Sequence, residues 1–338
     1  MQVDDRVRTV GSSGPHNDRA AAWWGRHHVG MTRPAVPSPA TPADGPGRTG
    51  PDAGERRPLD ADALRSLLLL PAGPLARVDV VARTGSTNAD AVAAVRADPD
   101  AWPHGSVLVA DHQDAGRGRA GRGWETPPRT ALTCSFVARP RVPARTLGWL
   151  PLLAGLGAVT AVRATAGVPA VLKWPNDVLV PADTEVPGWG AARKIGGILT
   201  EVVPTPPGTD PAVVVGIGLN VAQTADELPV PHATSLALAG AHHVARETLL
   251  VALVTALDDV AARWRDADGD AHASGLADEV AAVCATLGSA VRVELPGGEE
   301  VVGVAEGLDA DGGLVVATAD GRPHHVLAGD VRHVRTGP

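Results

Sequence analysis

The chain has 338 residues, 44% hydrophobic and 20% charged, with a formal net charge of −8 at pH 7. That balance suits one large globular domain with additions, and it excludes the chain-wide basic field by which many proteins hold nucleic acid. The opening MQVDDRVRTVGSS has no apolar signal core, no run approaches a membrane span, and Cys134 and Cys284 stand far apart in apolar surroundings. Buried free thiols in a reducing, cytoplasmic setting are therefore expected.

Residues 1–58 hold eight glycines, eight prolines and neither leucine nor isoleucine. Such a segment cannot bury enough apolar surface to offset its ordering entropy, so disorder is expected, with no paired helices to read DNA. Met31 is the one methionine besides Met1, which makes it an alternative start. Order is expected from Leu59. LDADALRSLLLL reads as a short helix closed by Pro71 and Gly73, ARVDVVA as a strand, and STNADAVAAVRA as a helix with its own Ser/Thr/Asn cap. SVLVA and TALTCSFVA read as strands, and Leu152, Leu156, Val159 and Val162 repeat at helical spacing. AVLKW, KIGGILTEVV and AVVVGIGLNV are strand-like and end in polar or glycine-rich loops. Leu249, Leu253, Leu257, Val260 and Trp264 make the stripe of a long helix. From about Gly288 the pattern changes to AVRVEL, EEVVGVAEGL, GGLVVATA and PHHVLAG, short alternating strands parted by PGG, DADGG and ADG turns. That is a small all-β barrel appended to an α+β domain.

GRGRAGRGW, residues 116–124, contains G-x-G-x-x-G at Gly116, Gly118 and Gly121. A dinucleotide-binding loop needs a helix after the glycines and an acid about 20 residues later. Here GWETPPRT follows, whose paired prolines forbid a helix, and Pro140 stands in the acid's place. A P-loop needs Lys-Ser/Thr where Arg122-Gly123 stands. What remains is a loop that either turns in solvent or presents backbone N–H groups and guanidiniums to an anion. Rarity adds a pointer. Against 28 arginines there are two lysines, Lys173 and Lys194, and both sit in KWPND or KIGG stretches. Lysine is a compact point charge that a planar guanidinium does not copy. The pairs His27-His28, His242-His243 and His324-His325 have no metal-ligand spacing with cysteines or acids.

TGSTNAD (84–90), ADHQDAGRGRAGRGW (110–124), KWPNDVLV (173–180), KIGGILTE (194–201) and GIGLNV (216–221) occur in this order. The set resembles the biotin protein ligases, over about residues 59–335. The resemblance implies an α+β fold: a mixed-sheet catalytic domain like those of class II aminoacyl-tRNA synthetases over 59–285, then an SH3-like β-barrel over 286–338. It implies ATP-dependent formation of biotinyl-5′-AMP and transfer of biotin to a lysine of a biotin carboxyl carrier domain of acyl-CoA carboxylases, with ATP and Mg²⁺ as cofactors and neither nucleic acid nor membrane as partner.

Residue by residue, the resemblance places Ser86, Thr87, Asn88 and Gln113 on biotin's ureido ring. It places Gly116, Arg117, Gly118 and Arg119 in a loop that closes over the ligand. Lys173 would lie between biotin's carboxylate and the α-phosphate, with Gly196 and Gly197 allowing the ligand close to a strand. Arg119, Arg122, Trp124, Asn176, Lys194 and Asn220 would meet ATP, and Asn176 and Asp177 its magnesium. Lys173 and Arg119 would be catalytic. The sequence departs from the family at Ala120, where many members carry arginine, and at residues 1–58, where some carry a winged helix. A lipoate-type ligase of related fold and a biotin-sensing transcriptional regulator are the alternatives.

Overall fold

The computed structural model describes residues 56–187, 189–204, 211–241 and 243–333, all within one compact unit. The segment expected to be disordered lies outside the described residues except for its last three, and so does Met31.

Helix α1 (Ala61–Leu68) starts at Asp60, whose carboxylate accepts the Ala63 N–H at 3.0 Å. Strand β1 (Arg77–Val81) leads to helix α2 (Thr87–Ala97), which is capped by the Ser86 hydroxyl, and β2 (Ser106–Ala110) returns parallel to β1. Every other pairing between the strands of this sheet is antiparallel. Strands β3 (Ala131–Ala138), β4 (Val171–Lys173), β5 (Asp177–Val186), β6 (Gly190–Val203) and β7 (Ala212–Asn220) complete the order β1-β2-β3-β7-β6-β5-β4. The sheet is therefore mixed and the class α+β, as expected. Strand β5 is an addition to the expected elements. Its first half, VLV, is buried, but its second half, PADTE, is polar and mostly exposed, which reads as a loop.

Side chains alternate across a strand, and here both faces are covered. Val107 and Val109 face helices α3 (Leu150–Ala166) and α4 (Arg246–Asp266), whereas Leu108, Val137, Val203 and Val214 face α2. Helix α3 carries Pro151 in its first turn and ends at Gly167 with φ 64°. By length and composition Ala144–Ala166 is apolar enough to cross a membrane, contrary to the expectation that no run approaches that limit. Two-thirds of its most apolar window is buried inside the chain, so its hydrophobicity is satisfied by α4 and the sheet.

After helix α5 (Leu276–Val283), strands β8 (Ala290–Glu294), β9 (Glu300–Leu308), β10 (Leu314–Thr318), β11 (Pro323–Val326) and β12 (Asp330–His333) form an antiparallel sheet ordered β11-β10-β9-β8-β12. It stands where the barrel was expected. Two indoles key it to the first sheet: Trp149 Nε1 donates to Ala310 O at 3.0 Å and Trp174 Nε1 to Gly312 O at 3.2 Å. Trp174 is thus a core residue at 1% exposure.

The start of the described chain is fixed by a buried ion pair. Arg246 Nη2 lies 2.7 Å from Asp111 Oδ1, with both side chains under 8% exposed. The same guanidinium donates to Arg57 O at 2.7 Å, and Asp111 Oδ1 also accepts the Leu59 N–H at 3.1 Å. Replacing Asp111 by alanine leaves a guanidinium buried without its counter-charge. Asp111→Ala should therefore destabilise the fold by about 3–5 kcal/mol in urea unfolding, and Asp111→Ala with Arg246→Met should recover part of the loss. A single-variant loss below about 1 kcal/mol would refute this account.

Candidate active site

Helix α2 covers only part of its face of the sheet. Beyond its N-terminus the strands line a cavity of about 690 Å³, walled on the far side by Glu294, Asp330, Val331 and Arg332 of the second sheet. That volume is typical of small-molecule sites. A second cavity of about 270 Å³, beside Arg83 and Arg129, contains none of the expected site residues.

One end of the larger cavity is polar and neutral. Thr87 donates to Gln113 Oε1 from its backbone N–H at 2.8 Å and from its hydroxyl at 3.0 Å. Buried Ser135 Oγ lies 2.8 Å from Thr87 Oγ1 and 2.6 Å from Asn88 Oδ1, and its one proton is shared between these two acceptors. Asn88 Nδ2 in turn donates to Leu199 O and to Glu201 Oε2, at 3.2 and 2.8 Å. Asn88 thus uses its amide inside the network. Gln113 Nε2 makes no hydrogen bond among the described residues and remains a donor for the cavity. A Cβ on Gly216 would lie 2.2 Å from Asn88 Oδ1, so a larger residue at this floor position would push the Asn88 amide out of its network.

The glycine-arginine loop spans the middle. No α-helix follows it, and within it Arg119–Gly121 form a three-residue 3₁₀ turn, with Ala120 at φ 53° and Gly121 at φ 72°. The loop closes on itself through Gly118 N to Arg122 O at 2.7 Å and Trp124 N to Gly116 O at 2.8 Å. Its arginines reach across the cavity. Arg119 Nη1 donates to Asn176 Oδ1 at 3.1 Å, and both its terminal nitrogens reach Gly329 O at 3.4 Å. Arg122 Nη2 lies 2.8 Å from each oxygen of Asp330. Trp124 lies over the floor, where a Cβ on Gly218 would fall 2.6 Å from its indole. Its buried Nε1 has no partner among the described residues. An unmade buried hydrogen bond costs about 1–3 kcal/mol, which a bound acceptor would recover.

The other end is cationic. Lys194 Nζ pairs with Asp177 Oδ1 at 2.6 Å. Lys173 is 9% exposed and has no carboxylate within ion-pair distance among the described residues. Burial pushes its ammonium below the ordinary lysine value; Asp177 opposes that shift and Lys194 adds to it. Asn176 Nδ2 donates to Ile198 O at 2.8 Å. Asn220 is held from both ends of its amide, by Thr234 O and Gln223 Nε2, each at 2.9 Å. Among the described residues there is no group of three or more His, Cys, Asp or Glu placed to hold a metal.

Fifteen of the residues expected at the site line this one cavity: Ser86, Thr87, Asn88, Gln113, Arg117, Gly118, Arg119, Arg122, Trp124, Lys173, Asn176, Asp177, Lys194, Gly197 and Asn220. Gly116 and Gly196 do not. A Cβ there would lie 2.3 Å from Trp124 O and 2.5 Å from Leu219 Cδ2 respectively, so both glycines serve close packing. Sequence reasoning missed Ser135, Glu201, Trp189, His232 and Asp330. Glu201 was within reach of it, since Gly197, Leu199 and Glu201 share one face of a strand. Asp330 was not, because only the docking of the second sheet brings it near.

Family models match along the chain: the biotin/lipoate A/B protein ligase family over residues 80–220 and the biotin protein ligase C-terminal domain over 286–334. The chain is 42% identical over 284 residues to the biotin–[acetyl-CoA-carboxylase] ligase of Mycobacterium tuberculosis, spanning 83% of this chain and 97% of that one. The chain belongs to the biotin protein ligase family. The like-named ligase of Paracoccus denitrificans is 33% identical over 72% of this chain and 95% of its own. The solved biotin protein ligase of Aquifex aeolicus, in complex with biotin and ATP, superposes with a TM-score of 0.62 at 25% identity, covering 77% of this chain and all of that one.

For a biotin protein ligase, a buried lysine with no carboxylate at ion-pair distance among the described residues is a cost to stability that a packed apolar chain would remove. Lys173→Met, which keeps the side chain's length without its charge, should stabilise the fold at pH 7, by on the order of 1 kcal/mol. At pH below the depressed folded value both states are protonated and the penalty is complete. Between that value and 10.5 the unfolded chain holds more protons, so stability rises with pH; above 10.5 the penalty has gone. The advantage of Lys173→Met should therefore shrink as unfolding is measured from pH 7 towards pH 10.5, and a pH-independent difference would contradict the burial argument.

Proposed function

We propose that the chain is an ATP-dependent biotin ligase that makes biotinyl-5′-AMP and transfers the biotinyl group to a lysine of a carboxyl carrier domain. In the first step a biotin carboxylate oxygen attacks the α-phosphorus, the bond to the β-phosphate bridging oxygen breaks, and pyrophosphate leaves. In the second, the carrier's neutral ε-amine attacks the acyl carbon, the acyl–oxygen bond breaks with AMP as leaving group, and the ammonium proton is lost to solvent. Neither step needs an enzyme nucleophile, so catalysis rests on positioning and charge stabilisation.

The observation that carries this reading is the placement of neutral hydrogen-bonding groups at one end of the cavity and two lysines at the other. Ser86, Thr87 and Gln113 suit an uncharged ureido ring, and Lys173 suits the meeting point of carboxylate and phosphate. Lys194, Arg119 and Arg122 are the further cations for a triphosphate, with Trp124 and Asn220 beside the base. Magnesium is proposed to enter as the counter-ion of ATP's phosphates. Asp177 is paired with Lys194 and Asn176 with Arg119, so these two side chains support an ion carried by the substrate better than one caged by protein. The relative's name supports acetyl-CoA carboxylase as the source of the carrier domain. The free thiols of Cys134 and Cys284 support a reducing, cytoplasmic setting.

Incubation with ATP and labelled biotin should yield biotinyl-AMP and, on addition of a carrier domain, labelled carrier; no adenylate from folded protein would sink the reading. Lys173→Arg keeps the charge but replaces a point by a longer planar fork. It should lower pyrophosphate exchange by roughly 10²-fold or more, the scale of removing one transition-state donor. Near-normal exchange by that variant would remove Lys173 from the adenylation step.

A further inference from the structure

Trp189 and His232 line the cationic end of the cavity, although neither supplies charge there. Trp189 stands at the tip of the β5–β6 hairpin, in a tight turn closed by its N–H donating to Val186 O at 2.9 Å. Turn tips are ordinarily polar and exposed. Here the indole is half-buried, and the Lys173 ammonium lies 4.2 Å from its ring centroid. The indole also stacks on the His232 imidazole, with centroids 4.0 Å apart and planes inclined by 19°.

Both supports are anchored. Arg193 ties the arms of the hairpin by donating to Thr184 O at 2.8 Å and Thr184 Oγ1 at 2.9 Å. The His232 carbonyl accepts the Lys194 N–H at 2.8 Å and the Thr234 N–H reaches Lys194 O at 2.9 Å, so this segment rides on β6. Burial, with the Lys194 and Lys173 charges nearby, holds His232 below the ordinary imidazole value. At neutral pH it presents an uncharged ring.

The chemistry of this arrangement follows from what Lys173 lacks. A buried ammonium without a carboxylate partner samples several rotamers and draws in water. A carboxylate beside it would fix it but cancel the charge required at the phosphate. An aromatic face fixes an ammonium and excludes water from one side while leaving its charge available. We propose that Trp189, backed by His232, is a positioning residue for Lys173, holding and desolvating the ammonium that meets the biotin carboxylate and the α-phosphate. The proposal rests on the adenylating role of Lys173.

The test compares wild type with Trp189→Ala, Trp189→Phe and His232→Ala in two separate steps: pyrophosphate exchange, and transfer to a carrier domain from supplied biotinyl-AMP. Trp189→Ala should lower the kcat of exchange about tenfold while the KM for biotin and the rate of transfer stay within about twofold. Trp189→Phe, which restores a π-face, should return exchange to within about threefold of wild type, and His232→Ala should cost about threefold in exchange alone. The hairpin tip is not core, so thermal midpoints should match wild type; if Trp189→Ala does not fold, Trp189→Phe and His232→Ala still read the same step. Exchange by Trp189→Ala at or above the wild-type rate, a loss shared equally by both steps, or no recovery with phenylalanine would overturn the proposal. A wild type that makes no adenylate would overturn the ligase reading and this inference together, whereas an active wild type with an indifferent Trp189→Ala would overturn this inference alone.

Discussion

A buried lysine that makes no ion pair among the described residues sets the terms for the rest of this molecule. Lys173 ends the short edge strand β4, at 9% exposure, and the chain around it supplies no carboxylate at ion-pair distance among the described residues. Such a group lowers stability, and the fold absorbs the cost elsewhere: in a sheet buried on both faces, in the packing of α3 against α4, and in the Asp111–Arg246 pair at its rim. The contrast with Lys194 is informative. That lysine, also on the cavity wall, is neutralised by Asp177 at 2.6 Å. Two cations in one cavity therefore meet an arriving anion in different states, one already paired and one available.

The second sheet is part of the site. Its strand β12 begins at Asp330, which binds Arg122 through both carboxylate oxygens, and the neighbouring Gly329 carbonyl receives Arg119. The glycine-arginine loop is thereby held between two sheets. The Trp149 and Trp174 indoles, donating to Ala310 and Gly312, fix the sheets' relative position, so a packing change in that seam would be felt at the loop arginines.

Local signals made much of this legible in the sequence. Short apolar runs such as SVLVA, buried throughout, and the capped STNADAVAAVRA mark their elements because burial and capping leave a pattern within a few residues. The motif set places fifteen residues on one cavity for a related reason: most motifs end a strand, begin a helix or follow a strand as a loop, and KIGG lies on the strand that floors the cavity. What stayed hidden depends on long-range contact. Strand β5 hides because half of it is polar, and β12 because pairing with β8 decides its place. Trp189 looks like a loop residue until the hairpin folds back onto Lys173. Gly116 and Gly196 show the converse limit, since sequence marks a glycine without telling a ligand's approach from a neighbour's.

The use of lysine has a further consequence for how this protein meets reactive molecules. Both of its lysines line the cavity, and every other basic side chain that is permanently charged is a guanidinium, a poor nucleophile towards acyl donors. Its outer surface therefore carries no lysine amine for an activated ester, an aldehyde or an amine-directed cross-linker to capture. Apart from the chain's α-amine, such reagents would report on the cavity itself, and occupancy of the cavity would protect the only side-chain amines the protein has.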